Sequence, residues 1–347
     1  MTGTEPSNNQ TMTIQQAIER GLEHHQAGRL AEAEDVYNKI LKTHPDHPFA
    51  LHMLGVLACQ RGELDLAVDL ISKAVAIMPD YLEAHSNLGN AFMDLGKLDK
   101  AVFSYNKAIA IKPDYAKGHF NLANALKEQG KLRDAVSSYQ NALASMPDFA
   151  DAHSNLGNTL KELGELDEAI NCYHKALAIK PDLAEAHSNL ADLLDRANRT
   201  EELRAAVSEA QINCPDHPRL SISQALLFKR DGDHEAARDV LIAAGDQVRD
   251  PSFLASRAHL LGELCDKLGD TDAAFEYFSE GNHHYSHTPK AKRADAQRYL
   301  AKVGILTKRF TSDWVAKWKP FESNDERSDP AFLVGFPRSG TTLLDTI

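Results

Sequence analysis

Apolar residues along the chain fall in short helical groups separated by turn residues. Between residues 82 and 115, Leu88, Gly89 and Phe92 precede Gly96, and Ala101, Tyr105 and Ala108 precede Pro113. Spacings of three and four place each group on one face of a helix, and the glycine between them marks a break. The next stretches repeat the order as Leu122, Ala123, Leu126, Gly130, Ala135, Tyr139, Ala142, then Leu156, Gly157, Leu160, Gly164, Ala169, Tyr173, Ala176. Prolines at 45, 79, 113, 147, 181 and 215 recur every 34 residues, each followed by aspartate at 46, 80, 114, 148, 182 and 216. A fixed period of this size predicts helix pairs stacked into a solenoid.

Each recurring position has a mechanical reason. Gly62, Gly96, Gly130 and Gly164 suit the left-handed conformation that ends a first helix, and Asn198 takes that place in one unit. Gly89, Ala123, Ala101 and Ala108 are small where paired helices come closest. Proline stops the second helix, and the aspartate after it is expected to cap the next first helix. Leu203 and Val207 replace the usual alanine and aromatic residue, so packing is expected to change there.

The pattern resembles the tetratricopeptide repeat. Its units fall near 14–47, 48–81, 82–115, 116–149, 150–183 and 184–217, with degenerate units near 218–251 and 255–288. The fold expected is all-α: a tetratricopeptide-repeat superhelical solenoid of about eight units over 14–288. Residues 1–13 read as a disordered tail and 289–330 as a helical linker.

The 347 residues carry a net charge of −12, which argues against a nucleic-acid partner. Cys59, Cys172, Cys214 and Cys265 lie far apart, as reduced thiols rather than a disulfide or zinc framework. No signal peptide or membrane-length apolar run is visible, so no membrane association and a cytoplasmic location are expected.

Asn87, Asn121, Asn155 and Asn189 keep the 34-residue phase, and Asn90, Asn124 and Asn158 form a second row completed by Asp192. An asparagine amide both donates and accepts, which suits it to an extended peptide backbone. The repeats resemble those of O-linked N-acetylglucosamine transferase, where such a ladder lines the inner groove and holds protein substrates. That resemblance implies a protein or peptide partner on the concave face, gripped by these asparagines. The other reading makes them packing residues bonded from helix to helix. His85, His119, His153 and His187 share the phase, at an expected spacing of about 20 Å from helix packing distances, too far for one ion. His283, His284 and His287 lack a carboxylate or cysteine at ligand spacing, so no metal site is expected.

From Lys290 to Lys319 nine basic residues face two acidic ones, a solvated helix face or an attractor for an anionic ligand. Trp314 and Trp318, four apart, are expected to dock that helix on its neighbour. Phe332 to Leu344 then reads FLVGFPRSGTTLL, an apolar strand, a turn and a helix start. Such a layout cradles phosphate on backbone N–H groups. Gly335 and Gly340 have Walker A spacing, but Thr341 stands where lysine belongs, which argues against an ordinary magnesium-dependent NTPase.

PRSGTT after a strand resembles the 5′-phosphosulfate loop of sulfotransferases, above all the bacterial tetratricopeptide-repeat relatives of tyrosylprotein sulfotransferases. The resemblance implies that 331–347 begins an α/β P-loop-like sulfotransferase domain. It further implies that the donor is 3′-phosphoadenosine 5′-phosphosulfate and that no metal takes part. Arg338, Ser339, Gly340, Thr341 and Thr342 would hold the donor, with Arg338 stabilising charge as the sulfuryl group departs. The family's general base lies downstream of these residues, so this chain alone is expected to be inactive. Two functions follow: the front part of a sulfotransferase transferring to a protein or peptide hydroxyl, or a non-catalytic peptide-binding scaffold. A glycosyltransferase association has no catalytic residues behind it.

Overall fold

The computed structural model describes residues 13–288, except 216, 246 and 247. Among them lie sixteen α-helices and no strand. The first three repeats hold α1 (Ile14–Gln26) and α2 (Leu30–Thr43), α3 (Pro48–Gln60) and α4 (Leu64–Ile77), α5 (Leu82–Asp94) and α6 (Leu98–Ile111). The next three hold α7 (Ala116–Glu128) and α8 (Leu132–Ser145), α9 (Ala150–Leu163) and α10 (Leu166–Ile179), α11 (Ala184–Arg196) and α12 (Thr200–Asn213). The degenerate units keep the same order as α13 (Leu220–Arg230), α14 (His234–Ala244), α15 (Pro251–Lys267) and α16 (Thr271–Ser286). The strand-loop-helix expected at 331–347, the linker 289–330 and residues 1–12 of the tail lie outside the described residues.

Helix ends follow the backbone chemistry expected at mid-repeat. Gly164 caps α9 at φ 83°, and Asn198 takes φ 56° in the repeat that lacks the glycine. Asp46, Asp80, Asp114, Asp148 and Asp182 do not cap the helices that follow them. Tyr81, Tyr115, Phe149 and Leu183 hold the cap positions of α5, α7, α9 and α11, with no side-chain cap bond. Pro79 and Asp80 occupy the turn ahead of Tyr81, so entry to the helix is set by packing of the residue at the cap rather than by a carboxylate.

Within each repeat the second helix lays an aromatic or aliphatic side chain across the first. Tyr37, Tyr105, Tyr139 and Tyr173 are wholly buried in this place. A Cβ on Gly157 would lie 2.8 Å from Cε1 of Tyr173, so the small residue is what lets the ring lie flat against α9. Leu203 and Val207 are buried in the equivalent places of the sixth repeat, where the aliphatic pair fills the gap the ring leaves. The first repeat instead presents Arg20 and His24 where the third has Leu88 and Phe92. Those polar residues stand at the positions that Leu88 and Phe92 fill with buried apolar side chains.

Successive repeats are joined because each second helix packs on the next first helix. The first helices also touch one another along α3, α5, α7, α9 and α11, a closeness the second helices do not match. The row with the shorter spacing lies on the inside of the curve, so the first helices form the inner face of these repeats.

Candidate functional site

Burial picks out the free face of each inner helix. In α5 the residues Ala84, His85, Ser86, Leu88, Gly89, Ala91 and Phe92 are buried, which leaves Asn87 and Asn90 on the face toward solvent. The same phase leaves Asn121 and Asn124 on α7, Asn155 and Asn158 on α9, and Asn189 on α11, each of these five half-buried.

The second asparagine row is built into the fold through its oxygens. The Tyr105 hydroxyl donates to Asn90 Oδ1 at 2.8 Å, Tyr139 to Asn124 Oδ1 at 2.5 Å, and Tyr173 to Asn158 Oδ1 at 2.7 Å. Asn121 Nδ2 donates to that same Asn90 oxygen at 3.2 Å, and Asn155 Nδ2 to Asn124 Oδ1 at 3.1 Å. One carboxamide oxygen thus takes a donor from its own repeat and another from the next. Asn189 keeps the phase, but no corresponding bond joins it to Asn158. These bonds use the Oδ1 of Asn90, Asn124 and Asn158 and the Nδ2 of Asn121 and Asn155, and leave the Oδ1 of Asn121 and Asn155 and the Nδ2 of Asn90, Asn124 and Asn158 to other partners. The helix-to-helix bonds of the packing reading are present.

Tyrosine and asparagine occur together for this reason. The second repeat has Ile71 with Val56 and the sixth has Val207 with Asp192, so neither needs the amide acceptor. The first repeat breaks the pairing, because Leu22 takes the position equivalent to Asn90 and the buried Tyr37 hydroxyl has no partner. Burial pushes its pKa up to about 12.

His52, which the sequence reading passed over, anchors the ladder's first rung. Asn87 Nδ2 lies 2.8 Å from its Nε2, and the Tyr81 hydroxyl 2.9 Å from its Nδ1. The amide must donate, so Nε2 accepts and the ring proton sits on Nδ1. Burial drives the imidazole pKa down to about 4, which keeps the ring neutral. The available signal was its offset: His52 follows Pro45 by seven residues, whereas His85 follows Pro79 by six.

The in-phase histidines bond the preceding repeat, as expected of interface residues. Nε2 of His85, His119, His153 and His187 lies 2.9, 2.9, 3.0 and 2.8 Å from the carbonyl oxygens of Pro79, Pro113, Pro147 and Pro181. A carbonyl only accepts, so Nε2 carries the proton. Because the inner helices touch, the rows repeat at about 8–10 Å rather than the expected 20 Å, still beyond the reach of a shared ion. The expectation of no carboxylate near His283, His284 and His287 is corrected, since Glu280 Oε1 lies 3.5 Å from His284 Nε2 one helical turn away. Among the described residues no three His, Cys, Asp or Glu side chains are grouped to hold a metal. All four cysteines are free thiols. Arg338, Ser339, Gly340, Thr341 and Thr342 lie outside the described residues, as do Trp314 and Trp318.

Charge beside the ladder is paired. Lys127 meets Glu162 at 3.7 Å and Lys161 meets Asp192 at 3.5 Å, each pair crossing to the next repeat. Among the described residues no helix is long and apolar enough to cross a membrane.

A family model described as "TPR repeat" matches residues 55–96, 89–130, 123–164 and 157–196, and one described as "Tetratricopeptide repeat" matches 16–57. Neither extends into 331–347. No curated protein matches the chain. A solved tetratricopeptide repeat protein from Parabacteroides merdae is 17% identical, over 72% of this chain and 98% of its own, with a TM-score of 0.54. That likeness shows the fold. A crystal structure of MamA is 25% identical over 46% of this chain and 94% of its own, with a TM-score of 0.44. A thermophilic TPR protein of Thermus thermophilus is 26% identical over 52% of this chain and 99% of its own, with a TM-score of 0.43.

Two outcomes follow from this geometry. Tyr139→Phe strips a donor from Asn124 and should cost about 1 kcal/mol in urea unfolding, whereas Tyr37→Phe removes an orphaned hydroxyl and should cost nothing. An equal loss at both sites would refute the pairing. His52 is held neutral in the fold but takes a proton near pH 6.5 once unfolded. Its contribution is therefore full above about pH 6.5 and is lost as pH falls toward 4, by at most about 3 kcal/mol. Urea midpoints measured across that range should fall less steeply for His52→Gln than for the parent chain.

Proposed function

Because the chain belongs to the tetratricopeptide-repeat family, we propose that it is a scaffold that grips an extended segment of a partner protein along the asparagine ladder. The observation that carries this reading is the orientation of the amides. Tyrosine hydroxyls hold the second-row oxygens inward, which leaves donors on one row and acceptors on the other. An extended backbone offers the complementary set, a carbonyl and an N–H at every residue. Amides read that backbone whatever the side chains are, and the neighbouring lysines spend their charge on Glu162 and Asp192. The grip is thus short-ranged and weakly dependent on salt.

A second reading rests on PRSGTT at 337–342 and its resemblance to a phosphosulfate loop. There the same array presents a protein or peptide hydroxyl to a sulfotransferase domain that begins at 331–347. Arg338, Ser339, Gly340, Thr341 and Thr342 would bind 3′-phosphoadenosine 5′-phosphosulfate. The two readings share the ladder and differ in whether Arg338 matters.

The test is affinity of the full chain for extended peptides selected from a random library. Replacing Asn121 and Asn155 together by alanine should weaken binding about tenfold, as expected for the loss of two hydrogen bonds. Arg338→Ala should leave it unchanged. Undiminished binding by the double variant would sink the ladder reading. Donor binding lost in Arg338→Ala would instead favour the sulfotransferase reading.

A further inference from the structure

One position on each second helix faces the repeat that follows. Glu34 pairs there with Arg61 of the second repeat at 2.5 Å, and Arg204 with Asp231 of the seventh at 2.9 Å. Val68, Val102, Val136 and Ile170 hold the same position in between, packed into the shared core. In the eighth repeat Gly269, Ala274, Phe278 and Gly281 stand where the third has Gly96, Ala101, Tyr105 and Ala108. That register gives Phe275 the place of Val102, yet its side chain is 74% exposed. Charge recurs across the same joints. Asp65 meets Lys97 at 3.4 Å, Arg133 meets Glu165 at 3.6 Å and Asp167 meets Arg199 at 2.8 Å. Each pair runs from the second residue of one second helix to the N-cap of the next. Asp272 is the second residue of α16, and Arg29 is the N-cap of α2. They are opposite in sign, and among the described residues neither has an ion-pair partner.

The first repeat is open on the complementary side. A groove of about 590 Å³ lies between α1 and α2, with Ile14, Ala17, Arg20, His24, Val36 and Ile40 in its walls. Ala17, Arg20, His24 and Val36 hold the places of His85, Leu88, Phe92 and Ser104, all buried in the third repeat. His85 bonds the Pro79 carbonyl of the preceding repeat, so this side of a repeat receives its predecessor. We propose that the chain associates head to tail with further copies of itself, α16 of one copy seating Phe275 on the α1–α2 groove of the next and Asp272 against its Arg29. The occupant is a second copy because both halves of the joint belong to this sequence: ring and acid at one end, groove and base at the other. The contact repeats the joint already made between neighbouring repeats and involves none of the ladder's asparagines. It uses two different surfaces and does not close on itself, so copies add beyond a dimer. Arg20 and His24 in place of Leu88 and Phe92 make this joint less apolar than those inside the chain, so the assembly dissociates on dilution.

Sedimentation velocity of the full chain over a range of concentrations tests this, beside Phe275→Ser, Arg29→Asp, Asp272→Arg and the double variant that carries both charge reversals. Circular dichroism first establishes that each variant is folded. The mean mass of the parent chain should rise with concentration past that of a dimer. Phe275→Ser should raise the concentration of half-association about tenfold, the worth of one well-buried side chain. Each single charge reversal should raise it about fivefold. The double variant should return to the parent's value, because the pair is then reversed rather than broken. A parent chain that stays monomeric at every concentration would overturn the head-to-tail joint. Association that stops at a dimer would do the same, as would association indifferent to Phe275→Ser and the charge reversals. A double variant no better than its single parents would also overturn it.

Discussion

Everything on the inner face depends on a tyrosine hydroxyl buried between two helices. The ring fills the space opposite Gly89, Ala123 or Gly157, and its oxygen emerges beside the asparagine two residues beyond the leucine of the first helix. A hydroxyl buried there without a partner costs free energy, so an acceptor must be supplied. The asparagine oxygen supplies it and in doing so loses its freedom to rotate. At Asn90 and Asn124 the next repeat's asparagine then bonds the same oxygen, which ties repeat to repeat along the face. Packing, satisfaction of a buried polar group and the fixing of the asparagine amide are consequences of one contact, made three times in succession.

Where the contact is missing, the face changes character. Ile71 and Val207 have no hydroxyl, and their partners Val56 and Asp192 are no longer amides. The three central repeats are therefore uniform, and both flanks differ from them. On one flank the surface turns apolar through Met53 and Val56. On the other it turns charged, with Asp192 engaged by Lys161 and Arg196, and Asp195 by Arg230. His52 marks the first boundary, taking Asn87 in place of the amide oxygen used further along.

The 34-residue period carried nearly all of the architecture, because a solenoid's contacts are local and repeat with its sequence. Gly164, Asn198 and the buried alanines follow from spacing alone, whereas the proline carbonyls that the in-phase histidines bond came from the structure. Caps were misread for an energetic reason: Tyr81 and Tyr115 stand at the helix entrances because packing on the preceding repeat outweighs a carboxylate bond there. The asparagine rows were visible as rows, but their division of labour was not. Which oxygen bonds inward depends on the reach of Tyr105, Tyr139 and Tyr173 from the second helix, a distance across the fold rather than along the chain. His52 was hidden for the same reason, since its partners Tyr81 and Asn87 come from the following turn and helix.

The central claim is that the ladder holds a peptide by its backbone, and replacing single amides of a bound peptide by esters tests it most directly. An ester removes one N–H and weakens one carbonyl while it keeps every side chain. Ester substitution at positions lying on Asn121 and Asn155 should lower affinity severalfold for each bond lost, while exchanging the side chains there should leave it unchanged. Affinity that follows the side chains and ignores the esters would contradict the account.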